Sequence, residues 1–192
     1  MTDHDTKTTQ DTGQRRLNNE TIPYYFIKSA IFLGFFSLVH FIYQMAPSGI
    51  TLFIGAADES VFGHTKMAFY AWLFTLVLEY AVFTPRKLID NKKSFILSRF
   101  LVATLLPWFE VIVWYFVPAF AKAELPLYFE LPWAFAVVYF IGLLGGGIER
   151  KLQKAEFDLY LTIVVLVLFG LSVFFFTVFT WEKPWIDFFY LP

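Results

Sequence analysis

Residues 159–180 read LYLTIVVLVLFGLSVFFFTVFT, an uncharged run rich in Val, Leu and Phe. It matches the roughly 20 residues that an α-helix needs to cross the hydrocarbon core of a bilayer. A segment so uniformly apolar has no face to turn towards water, so it reads as a transmembrane helix facing lipid. Working outward from it, four further apolar runs of spanning character lie at about 24–45, 61–83, 95–120 and 132–147. The expectation is an all-α, polytopic transmembrane bundle of five spans that fills residues 22–192. Residues 1–21 are polar, mixed in sign and without an apolar run, which predicts a disordered cytoplasmic tail.

Composition supports the same class. Of 192 residues, 58% are hydrophobic, 22% aromatic and only 16% charged, which is too oily for a soluble domain of this length. The absence of cysteine excludes disulfides, thiolate zinc sites, iron–sulfur clusters and a cysteine nucleophile. The formal net charge of -1 averages over a strongly uneven distribution and identifies no partner; no nucleic acid is expected.

Orientation follows from the cations. All but three of the fifteen Lys and Arg residues fall in the tail, at the start of span one, or in and beside the connectors after spans two and four. Lys122 and Lys183 sit at the opposite end and Lys66 is embedded. The positive-inside bias therefore predicts an inside N-terminus and, after five crossings, an outside C-terminus. The aromatic residues of the C-terminal stretch, with Trp114, Tyr128 and Trp133, fall at the outer level as an interfacial belt.

The connectors have their own signals. Ile50 to Ala57 is apolar but too short to span, so it reads as an interfacial or re-entrant segment. Pro107 sits mid-way in span three, where it removes a backbone donor and predicts a kink. Gly142 and Gly146 form a small-xxx-small pair read as a helix-packing surface, within one chain or between copies or complex partners. Residues 148–158 read as a charged connector, Lys28 as a snorkelling cation, and Glu79 as a carboxylate at the cytoplasmic interface.

The stretch DESVFGHTK, Asp58 to Lys66, carries four ionisable groups into the start of span two. Ser60 suits the N-cap, with Asp58 and Glu59 beside the positive end of the helix dipole. At about 1.5 Å per residue, His40, His64, Lys66 and Glu110 from three spans reach one band below the outer surface. Ionisable groups inside a membrane are costly and mark candidate sites. The expectation is an outer-half pocket enclosed by spans one to three, with span five peripheral and with His40, Asp58, Glu59, Ser60, His64, Lys66 and Glu110 as candidate binding residues. Lys66 reads as a snorkelling partner of Glu59 or Asp58, and Gly63 as leaving room beside His64 for a helix or ligand. His40, His64 and Glu110 would make a two-histidine, one-carboxylate set for a divalent metal, without a local ligand motif; no cofactor is assigned.

With His40-Phe41-Ile42-Tyr43 before it, this stretch resembles the signature N-E-S-V-W-E-H-L-K of an uncharacterised family of small five-span prokaryotic membrane proteins. Glu59, Ser60, Val61, His64 and Lys66 match, whereas Asp58, Phe62, Gly63 and Thr65 differ. The resemblance implies the topology, a prokaryotic cell membrane as location and a candidate site, and implies no reaction. Three functions remain open on the residues: a small transporter or channel-like protein for a proton, ion or polar solute; a membrane-embedded enzyme acting on a lipid or lipid-linked group; and a structural or assembly subunit. A continuous polar path to Glu79 would favour the first over the second, and clustering of His40, His64 and Glu110 would count against the third.

Overall fold

A computed structural model describes residues 22–122 and 126–190; the tail expected over 1–21 lies outside them. All regular structure among the described residues is helical. In chain order the helices are α1 Ile22–Met45, α2 Gly49–Ile54, α3 Val61–Phe83, α4 Lys92–Ala121, α5 Leu127–Gln153 and α6 Leu159–Trp181, with a short 3-10 turn at Asp187–Phe189. Five of them, all but the six-residue α2, are long and apolar enough to cross a membrane.

Local chemistry sets the helix starts. Ser48 and Thr51 form a reciprocal capping box on α2, the interfacial segment expected after span one. Ser60 caps α3 by accepting from Gly63 N at 3.1 Å, Asn91 caps α4 through Ser94 N at 3.2 Å, and Asp158 caps α6 through Leu161 N at 2.7 Å. Each cap satisfies a backbone donor that the first turn leaves without an intrahelical partner. The helix α4 is continuous through Pro107.

Packing places α1, α3, α4 and α5 around one core, with α6 against α4. In lipid, association depends on close backbone approach and polar ties. A Cβ on Gly142 would stand 3.0 Å from Ser29 Oγ, and one on Gly146 3.1 Å from Tyr25 Cδ1, so this glycine face of α5 seats α1 within the same chain. Gly145 faces the other way, where a Cβ would meet Leu106 and the Trp72 ring at 2.8 Å.

Three readings are corrected at the cation-rich end. Lys28 does not snorkel, Glu79 is buried among ion-pair partners rather than exposed, and 148–158 is not all connector, because α5 continues to Gln153 and buries Glu149. Lys28 and Arg99, each 2% exposed, face Glu79 and Glu149. Lys28 Nζ lies 2.8 Å from Glu79 Oε2 and also bonds Glu149. Arg99 Nε lies 2.9 Å from Glu79 Oε2, and its Nη2 lies 3.8 Å from Glu149 Oε2. Trp72 Nε1 donates to Glu149 Oε1 at 2.9 Å and Tyr24 donates to Glu79. Two cations and two carboxylates from four helices therefore cancel. That cancellation is the physical reason charged residues sit inside helices that hydropathy alone would have ended earlier.

Breaking such a buried set strands a charge, at about 3 to 5 kcal/mol. Arg99→Leu and Glu149→Leu should each lower unfolding stability in detergent by that amount. The combined variant should lose less than the sum, because neither remaining charge is left unmatched; strictly additive losses in a double-mutant cycle would show that the four groups do not act as one network.

Candidate functional site

The opposite end of the same four helices holds a cavity of about 480 Å³. Its walls are apolar, with Leu33, Phe36, Trp114, Phe135 and Val138 prominent, and its polar groups are His40, Glu59, His64, Glu110 and Glu130 among few others. The cavity draws on α1, α3, α4 and α5, so the enclosure expected from spans one to three gains span four as a wall. This follows from the extra length of α5, whose first turns carry Glu130 and Leu131 to the rim.

The histidines are held by backbone geometry. The extended backbone at Ser60 turns Glu59 back over the helix start, while Ser60 O accepts both His64 N and His64 Nδ1 at 3.1 Å. With Nδ1–H committed to a carbonyl, His64 presents Nε2 to Glu59 Oε2 at 3.3 Å. His40 Nε2 lies 3.6 Å from Glu59 Oε1, and the two imidazole centroids are 5.6 Å apart. Phe36 and Trp114 lie roughly parallel to the His64 ring on the cavity wall, each 6.5 Å from it. Glu110, 5% exposed, contributes an Oε2 without a hydrogen-bond partner among the described residues, and His40 Nδ1 is in the same condition.

The structure thus brings together His40, Glu59, His64 and Glu110, with Ser60 supporting. It regroups the metal-type set, since the carboxylate between the imidazoles is Glu59 and not Glu110. Asp58 and Lys66 face elsewhere. Lys66 Nζ donates to Leu52 O at 2.8 Å and Thr180 Oγ1 at 3.0 Å, correcting the expected bond to Glu59 or Asp58. The α6 hydroxyl and the α2 carbonyl are nearer than the surface, and α6 is to that extent more than peripheral, although most of it remains uncovered. The room expected beside Gly63 is filled: a Cβ there would stand 2.9 Å from Ala56 Cβ and 3.0 Å from Asp58 O.

Electrostatics separate the two acids before α3. Burial pushes Asp58 up, but the hydrogen bonds from Lys183 and Ser60 outweigh it and hold the carboxyl below its ordinary range. The close approach of His64 and the neighbouring imidazole of His40 likewise hold Glu59 down against its burial. Beyond Lys183 the chain folds back, placing Phe189 among Phe62, Phe175, Phe176 and Phe179. Asp58–Lys183 is the polar clasp on that segment.

Comparison with protein-family models, curated proteins and solved structures returned no match. The site is therefore interpreted from its own residues.

A carboxyl held low stabilises the fold while ionised; the contribution is present above about pH 4 and fades as pH falls through the folded-state value. Asp58→Asn should thus mimic acid at the clasp. Amide exchange over 183–190 should quicken by about 2- to 5-fold, the scale of a partly exposed ion pair, and the variant should lose the remaining acid sensitivity. Unchanged exchange would assign the hold on this segment to its aromatic contacts alone.

Proposed function

We propose that this integral membrane protein is a membrane-embedded enzyme acting on a lipid or lipid-linked amphiphile. The observation that carries the reading is a cavity with polar groups gathered around His40, Glu59 and His64, apolar walls, and a closed floor. Below Leu33, Thr65, Glu110 and Val137, the buried side chains of Phe32, Trp72, Leu106 and Ile141 form an apolar layer before the Lys28 network is reached. Phe32 and Trp72 meet edge to face at 5.1 Å. The buried side chains of Phe32, Trp72, Leu106 and Ile141 between Glu110 and Glu79 disfavour solute permeation.

An amphiphile fits such a shape: its apolar body lies along Phe36, Trp114, Phe135 and Val138, and its polar end meets the imidazoles and carboxylates. His64, oriented by Ser60, serves as the proton-accepting group, and Glu59 holds its ring. The cation bias at the Lys28 end supports an inside position for that end and an outward-facing site. The likeness of one nine-residue stretch to a five-span prokaryotic signature fits this arrangement.

Membrane lipid extract incubated with the reconstituted protein, followed by mass spectrometry, should show one amphiphile class falling and one product class rising. His64→Gln should slow the conversion by about 10²- to 10⁴-fold, the range of a lost acid–base group, and Val138→Trp should block occupancy of the cavity. No change in lipid masses, together with flux of a solute across sealed vesicles that His64→Gln abolishes, would replace the enzyme with a transporter.

A further inference from the structure

The donor geometry at the cavity mouth goes further than a hydrogen-bonded dyad. In the neutral His64 tautomer set by Ser60 O, Nε2 carries a lone pair, and it faces Glu59 Oε2, which is also an acceptor, at 3.3 Å. His40 Nε2 approaches the other oxygen of the same carboxylate at 3.6 Å. His64 Nε2 and Glu59 Oε2 need an electropositive centre between them, whereas His40, whose Nδ1 has no partner among the described residues, can present either a proton or a lone pair at Nε2. The two candidates are a proton, making an imidazolium–carboxylate pair, or a metal ion.

The separations are those a metal can use. With zinc–nitrogen and zinc–oxygen bonds of about 2.0 to 2.2 Å, neighbouring donors of a tetrahedral ion stand about 3.3 to 3.5 Å apart. The two imidazoles approach different oxygens of Glu59 at 3.3 Å and 3.6 Å, and one donor atom from each of His40, Glu59 and His64 lies within 4.8 Å of the others, so a small contraction around an ion would close the set. A ligating histidine characteristically donates its other ring nitrogen to a carbonyl or carboxylate, as His64 does to Ser60 O. The unpartnered Glu110 Oε2 lies in the same cavity, a second buried carboxylate on the open side of the triad.

We infer that His40, Glu59 and His64 form a three-ligand site for a divalent metal ion of the zinc class, open towards the cavity and Glu110. Two imidazoles and one carboxylate with a free coordination position are the donor set of catalytic, not structural, zinc. The chemistry the ion supplies is Lewis-acid polarisation of an ester or phosphoryl oxygen at the polar end of the substrate. The inference deepens the enzyme reading and rests on it for the substrate, with His64, whose Nε2 the ion would take, passing its proton-accepting role to the cavity carboxylate Glu110; metal binding itself stands on the donor geometry.

The test uses the full chain in detergent, freed of metal by chelator and titrated with Zn²⁺, then with Co²⁺ as an optical probe. One equivalent should bind per chain, with visible Co²⁺ bands of a four- or five-coordinate site. Loss of an outer-sphere partner weakens such sites by about 10- to 100-fold, so His64→Gln and Glu59→Gln should each weaken binding by more than about 100-fold. Glu59 is 53% exposed, which lets its variant fold, and thermal unfolding checks both. Glu110→Gln and Lys183→Gln should keep the stoichiometry, with Glu110→Gln shifting the Co²⁺ bands. No bound metal, or binding that survives both ligand changes, overturns the site and leaves an imidazolium–carboxylate pair. Metal binding without any change in lipid masses would instead retain the metal site and remove the lipid reading; the converse would retain the enzyme and remove the metal.

Discussion

A charge among apolar helices is tolerated only where a neighbour from another helix neutralises it, and the bundle is arranged to meet that condition. Lys28, Glu79, Arg99 and Glu149 come one each from α1, α3, α4 and α5. Shape complementarity alone would leave several ways to pair greasy helices, because lipid is as apolar as their side chains. The four charges choose among them: any rotation or slip of one helix by a residue would separate a cation from its carboxylate. Apolar replacements could match this set in stability, so its role is to select one arrangement. The glycine face of α5, which lets α1 approach closely, brings Lys28 within reach of both acids.

The helix α6 contributes nothing to the four-charge set and is the least covered of the five spans. Its ties include the aromatic contacts of Phe169, Phe175 and Phe176 with Phe62, Phe69, Phe100 and Trp108 and the hydroxyl of Thr180 on Lys66. An embedded cation met by a hydroxyl and a carbonyl is only partly compensated, which fits its place close to Asp58 and Lys183 at the helix ends, where polar groups gather. The bundle thus divides into a locked quartet and an added helix held by rings.

How much of this could be read from residues alone depends on where the partner lies. Five spans were legible because hydropathy is a property of one segment at a time, and Ser60 as a cap because caps are local. His40, His64 and Glu110 were legible as a group because depth along a helix can be counted from its end. Glu149 was not, since a glutamate followed by Arg150 and Lys151 looks like the start of a water-exposed connector; only Lys28, far away in sequence, makes it an interior residue. Arg99 and Glu79 were obscured in the same way. The exchange of Glu110 for Glu59 between the imidazoles depends on the extended turn at Ser60, a backbone detail that helical periodicity does not carry.

The two ends of the quartet then differ in one respect. At the Lys28 end two cations already face two carboxylates. At the His40 end the carboxylates of Glu59 and Glu110 face imidazoles that carry no charge in their neutral form, with Lys66 and Lys183 turned away towards Thr180 and Asp58. A divalent ion held by His40, Glu59 and His64 would place positive charge beside the carboxyl groups that line this cavity. The same preference for an opposite charge that fixes the helices at one end thus favours the inferred cation at the other, at the mouth of an apolar cavity where an exchangeable ligand can approach it.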